Sequence, residues 1–170
     1  LARRDLILKL LGDIKGFNCN IPDGVPDADD TVTIASGHTI AVDATAAAAA
    51  LTVNQQLDIE NDLTVSGNVT NAGIIEIDGG NLTISGTNST LSNTQQIHIR
   101  AGYYLRMSGS SSTFTNSATL RTYATSTSMG RIILNGTFSE SGFPAESFAR
   151  YINDTGDAGT STGWDLIGVP

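Results

Sequence analysis

"GNLTISGTNSTLSNTQQIHIRAGYYLRMSG", residues 80–109, carries one phrase twice: Leu82-Thr83-Ile84-Ser85-Gly86 returns as Leu105-Arg106-Met107-Ser108-Gly109. The apolar beats keep their places while the polar residues between them drift. In a strand, alternate side chains share a face, so Leu82 and Ile84 turn to one side and Thr83 to the other. A phrase that returns with only its inward half preserved describes a strand stacked on its own earlier copy.

The surrounding sequence extends the pattern. "LTVNQQLDI" from Leu51, "VTNAGIIEI" from Val69, "LSNTQQIHI" from Leu91 and "FTNSATLRT" from Phe114 align, their starts 18, 22 and 23 residues apart. Six positions after each start stands another apolar residue: Leu57, Ile75, Ile97 and Leu120. A third beat follows in "LTVSG" (63–67), "LTISG" (82–86), "LRMSG" (105–109) and "IILNG" (132–136), and "IASGHTIAV" (34–42) is an earlier, partial turn. Self-similarity at about 20 residues, in short strands separated by Gly, Asn and Ser, signals a β-solenoid. The fold class read here is all-β, a parallel β-helix with three short strands per turn. Inward pairs at i and i+2, such as Leu57/Ile59 and Ile75/Ile77, and uneven turn lengths favour the right-handed form over the left-handed hexapeptide helix. A β-sandwich of hairpins also spaces strands this way, but register-matched repeats count against it. Ile59, Ile77 and Ile99 are therefore expected to stack in one core.

A solenoid exposes an unpaired strand edge at each end. Residues 1–16, "LARRDLILKLLGDIKG", place Leu6, Ile7, Leu10, Leu11 and Ile14 at helical spacing, and are read as a helix covering the first turn. A Pro/Gly/Asp loop completes the N-terminal cap (1–30), the solenoid turns occupy 31–136, and an aromatic-rich C-terminal cap occupies 137–170. The chain opens on Leu1 instead of Met, so an upstream segment is expected to have been removed or omitted.

Lys and Arg total 9 against 17 Asp and Glu, a formal charge of −8. This balance argues against nucleic acid, whose phosphates need a basic surface, and against anionic membranes. No run reaches the roughly 18 apolar residues of a membrane span. Only 15% of residues are charged, so solubility rests on Ser, Thr, Asn, Gly and Asp, a composition that suits a secreted or cell-surface protein. Cys19 is the only cysteine, which excludes an intrachain disulfide.

The repeat alignment sets residues in columns. Asp58, Glu76, His98 and Arg121 form one outward column, and Glu60, Asp78, Arg100 and Tyr123 the next. Turns are about 4.8 Å apart, so Glu76 is expected to face His98, and Asp78 to face Arg100, as cross-turn ion pairs worth under about 1 kcal/mol each. Asp58, Glu60, Glu76 and Asp78 would repel one another unless a cation or proton relieves them, which makes them calcium candidates. A retaining glycosidase pair, its carboxyls about 5 Å apart, is the catalytic alternative. The acidic loops "PDADD" (26–30) and "NDTGDAG" (153–159) lack the spacing of a calcium loop and read as turns. His38 and His98 have no second His at zinc-ligand spacing. There is no nucleophile elbow, no catalytic residue is assigned, and no cofactor other than possible calcium is expected.

Two passages carry a resemblance. "DDTVTIASGHTIAVDATAAAAALTV" (29–53) resembles the entry turn of β-solenoids in large bacterial secreted and cell-surface proteins. "TGWDLIGVP" (162–170) resembles a passage that follows such stretches in surface proteins of bacteria with a type IX secretion system. The resemblance speaks to architecture; the function expected is a non-catalytic structural or adhesive module of a surface protein or filament, presenting a rigid polar face of Thr, Asn and Ser. The partners expected of such a module are neighbouring domains or identical subunits, and surface glycans. The alternative is a carbohydrate-active β-helix, a polysaccharide-binding protein or depolymerase like a viral tailspike, for which Tyr103, Tyr104 and Tyr123 would supply aromatic platforms.

Overall fold

The computed structural model describes residues 27–140 and 147–148. Those residues are all-β, without a helix, and coil into a parallel solenoid of about five turns. The first face stacks β1 (Thr31–Ile34), β4 (Ala50–Val53), β7 (Val69–Asn71), β10 (Thr90–Asn93) and the C-terminal parts of β12 (Tyr104–Asn116) and β14 (Arg131–Glu140). The second stacks β2 (Thr39–Val42), β5 (Gln56–Ile59), β8 (Ile74–Ile77), β11 (Gln96–Ile99), β13 (Thr119–Thr122) and β15 (Ser147–Phe148). The third stacks β3 (Ala46–Ala48), β6 (Leu63–Val65), β9 (Leu82–Ile84) and the N-terminal parts of β12 and β14.

Every named strand pair is parallel and joins one turn to the next. The two phrases that opened the reading are stacked partners: Leu82 pairs with Leu105, and Ile84 with Met107. Ile59, Ile77 and Ile99 follow one another in register, each fully buried. The ladder also runs past residue 136, through Glu140 in β14 and through β15 against β13. The helix expected over 1–16, and most of the expected C-terminal cap, lie outside the described residues. Among the described residues no helix is long and apolar enough to cross a membrane.

The core is a set of like-on-like columns. Leu57, Ile75, Ile97 and Leu120 make one on the second face, and Leu63, Leu82 and Leu105 one on the third. On the first face the column begins apolar with Ile34 and Val53, then changes to Asn71, Asn93 and Asn116, all fully buried. The change has a local cause. Here the chain turns from the first face to the second, leaving corner carbonyls and amides inside. Asn71 Nδ2 donates to the Gln96 carbonyl (2.9 Å) and to Asn93 Oδ1 (2.7 Å), and Asn93 Nδ2 donates to Asn116 Oδ1 (2.6 Å) and the Thr119 carbonyl (3.2 Å). An amide carries donor and acceptor together, so identical residues satisfy one another up the stack.

The opposite corner, from third face to first, closes on glycine. A Cβ on Gly109 would overlap the Gly86 carbonyl, one on Gly86 the Ser66 carbonyl, and one on Gly136 the Ser112 carbonyl. This close approach explains why the repeated phrase ends in Gly. Beside it the chain takes a left-handed step at Asn88 (φ 57°) and Ser111 (φ 56°), and the next residues, Ser89 and Ser112, join buried hydroxyls at 3.1 Å.

Asn93→Ala removes the middle rung of the amide ladder and breaks the bonds that Asn93 makes to Asn71, Asn116 and the Thr119 carbonyl. It is expected to cost about 2–4 kcal/mol, read from urea melts. An unchanged unfolding midpoint would mean that the amides add nothing net to stability.

Candidate functional site

The second face holds most of the charge that the solenoid concentrates. Outward positions of β5, β8, β11 and β13 put Asp58, Glu76, His98 and Arg121 in one register. Glu60, Asp78, Arg100 and Tyr123 follow, each tied by its backbone N–H to the turn below. Both columns stand as the repeat spacing requires.

The pairing inside them is different in one respect. Glu76 does meet His98, Oε1 to Nδ1 at 3.0 Å, but Arg100 reaches diagonally to the same Glu76 oxygen at 3.4 Å instead of pairing with Asp78 beside it. The Arg100 guanidinium also lies 4.1 Å from the centre of the Tyr123 ring, with that of Arg121 at 4.6 Å. His98 meets Tyr123 edge-on, centroids 6.0 Å apart. The flat aromatic face draws the two guanidiniums toward Tyr123, leaving Asp78 with a field from Arg100 and no bonded cation. Glu76 Oε2 is buried without a hydrogen-bond partner, whereas Asp58 accepts from the Gln56 side-chain amide at 2.8 Å.

The other expected residues fall elsewhere. Tyr104 opens the third-face part of β12, near Arg131 (6.0 Å), and Tyr103 packs against the core, so only Tyr123 joins the carboxylates. Asp27, Asp29 and Asp30 bond within their own turn, as ordinary turn chemistry requires. "NDTGDAG" and Cys19 lie outside the described residues. Among the described residues no group of three or more His, Cys, Asp and Glu stands close enough to hold a metal ion.

What the alignment missed is the column of buried asparagines, although "VTN", "LSN" and "FTN" present it at equivalent places. Attention to polar residues in the inward register would have found it. The alignment also missed the distribution of charge along the axis. From Asp27 to Ile99 there are nine Asp and Glu and no Lys or Arg, and from Arg100 to Ser139 four Arg and no acid.

Asp78 registers that distribution. Partial burial pushes its pKa above the usual aspartate value, the negative charges of Asp58 and Glu76 add to the rise, and Arg100 and its own backbone N–H work against it. The folded protein thus holds this proton more tightly than the unfolded chain. The ionised form costs stability above the raised folded value, and the cost disappears as pH falls through that value to the ordinary one, about 4. Asp78→Asn is therefore expected to raise the melting temperature at pH 7 by the equivalent of about 0.2–1 kcal/mol, the scale of solvent-screened pairs. The difference should close by about pH 3. A variant less stable than the parent at pH 7 would mean that attraction to Arg100 outweighs both causes of the rise.

The calcium expectation for Asp58, Glu60, Glu76 and Asp78 is tested by a chelator, expected to leave the melting temperature unchanged. A drop of several degrees in the parent protein, absent from Glu76→Gln, would assign calcium to the four carboxylates.

Comparison with known proteins adds a family. The model of the G8 domain matches residues 19–141. No curated protein and no solved structure matches the chain. The matched residues make up well over half of the sequence and take in every strand from β1 to β14, and the chain accordingly belongs to the G8 domain family.

Proposed function

We propose that this chain is a non-catalytic structural and adhesive module that works outside the cell, in a surface protein or filament, and that its first face is the contact surface. The observation that carries the reading is a rank of hydroxyls. Thr33, Thr52, Thr70, Ser92, Thr115 and Ser139 follow one another in register up the first face. No side-chain hydrogen bond from these hydroxyls occurs among the described residues. Two residues earlier, Thr31, Thr90, Thr113 and Thr137 make a partial second rank, interrupted by Ala50 and Asn68 on the turns between Thr31 and Thr90.

The spacing follows from the fold. Hydroxyls recur about every 4.8 Å along the axis and about 6.7 Å across it, on a sheet whose inward side is fixed in the core. No charged residue occupies the outward positions of β1, β4, β7 or β10. A rigid, neutral, periodic array of donors and acceptors suits an extended uncharged polymer that presents its own hydroxyls at regular intervals, such as a surface glycan. It offers little to a phosphate backbone or an anionic membrane. The acidic balance and the resemblance to solenoids of type IX-secreting bacteria support a place at the cell surface.

Co-sedimentation with insoluble cellulose and chitin tests this. The parent protein is expected to be retained on at least one of them. Thr70→Arg, which raises a long charged side chain from the middle of the rank, is expected to weaken retention at least tenfold, with stability changed by no more than about 0.5 kcal/mol. No retention on either polymer, or equal retention of the variant, would refute the reading.

One observation favours a second reading, a carbohydrate-active enzyme on the second face. Asp78 is raised above the usual aspartate value beside Glu76, and a carboxyl that holds its proton more tightly than usual can serve as a general acid. Release of reducing ends from a polysaccharide, lost in both Glu76→Gln and Asp78→Asn, would favour it over adhesion.

A further inference from the structure

The second face changes sign halfway along the axis. Its outward column reads Asp58, Glu76, His98, Arg121, and the next reads Glu60, Asp78, Arg100, Tyr123, each on successive turns. Among the described residues Glu76 is the only acid bonded to basic side chains, those of His98 and Arg100. Arg121 is exposed, its guanidinium lying over the Tyr123 ring without a bonded acid among the described residues, while Glu60 and Asp78, also exposed, have no bonded cation there.

Such a face is complementary to itself. A two-fold axis lying in the contact plane, parallel to the strands, reverses the solenoid direction and keeps each column opposite itself. Asp58 then meets the partner's Arg121, and Asp78 meets the partner's Arg100. The other face-to-face two-fold, along the solenoid axis, sets acid against acid. We infer that the second face is an interface between two copies of this chain, docked antiparallel about the axis that pairs the acidic turns of each with the basic turns of the other. The contact is isologous, as two-fold symmetry requires, and its orientation is selected by charge.

The face is small. Strands of four residues span about 13 Å and five turns about 19 Å, which with the corners gives roughly 400 Å² per partner, against about 800 Å² for an interface of standard size. The dimer is consequently weak and depends on charge, so salt must dissolve it. This inference is independent of the adhesive reading, because the hydroxyl ranks occupy another face.

Sedimentation velocity of the full chain over a concentration series tests it. Self-association is expected at about 0.05 M salt, weakened about tenfold or more at about 0.5 M, where the Debye length shrinks to about 4 Å. Asp58→Arg and Arg121→Asp, each alone, place like charges opposite one another and are expected to remain monomeric. Mixing the two single variants restores both attractions and should yield a heterodimer, and the double swap should yield a homodimer again. A parent protein that is monomeric throughout, a dimer indifferent to salt, or a mixture that fails to associate would each overturn the inference. If either variant does not fold, judged by its melt, the salt series of the parent protein decides alone. Loss of cellulose or chitin binding in Thr70→Arg with association intact would confirm that the two faces act separately.

Discussion

The parallel, in-register stack is the constraint from which the remaining features follow. Each turn donates its backbone bonds to the next, so a residue meets its own counterpart about 4.8 Å above and below. A side chain is therefore chosen less for its general environment than for compatibility with a neighbour of its own kind. Branched aliphatic residues satisfy this easily, which is why Ile59, Ile77 and Ile99 can repeat without loss. Asparagine satisfies it too, since its amide donates upward and accepts from below, and Asn71, Asn93 and Asn116 carry buried polarity through the core in that way. Glycine answers the constraint where the turns approach too closely for any Cβ, as at Gly86 and Gly109.

For charged groups the same constraint is adverse. Identical charges one turn apart repel, and no donor–acceptor duality relieves them. Asp58, Glu76 and Asp78 accept part of this cost, and their mutual repulsion adds to the rise that partial burial gives the pKa of Asp78. The column escapes further repulsion because His98 and Arg121 follow its last acid, Glu76, which bonds both His98 and Arg100.

The three faces thus differ in chemistry although one repeat generates them all. The first is neutral and lined with hydroxyls, the second is charged and divided in sign, and the third ends at the glycine corner. A solenoid can diversify in this manner because outward positions are free of the packing that binds the inward ones. Proposed adhesion belongs to the first face and proposed self-association to the second, and neither disturbs the core beneath.

The fold was legible in the sequence because inward residues repeat. The place of Leu82 against Leu105, the stacking of Ile77 on Ile99 and the columns through Glu76 and Tyr123 all follow from counting positions. Register in a parallel stack is a one-dimensional property, and a linear sequence records it directly. Other features depended on three-dimensional approach. Arg100 passes Asp78 for Glu76 because the Tyr123 ring draws its guanidinium aside, a competition that spacing alone does not encode. Tyr104 goes to the third face since the chain turns a corner before it, and the burial of the asparagine column depends on where that other corner folds inward. Sequence determined which residues share a column. Tertiary structure decided which of them touch, because contact depends on where the corners turn and on which of several nearby groups attracts a long side chain most strongly.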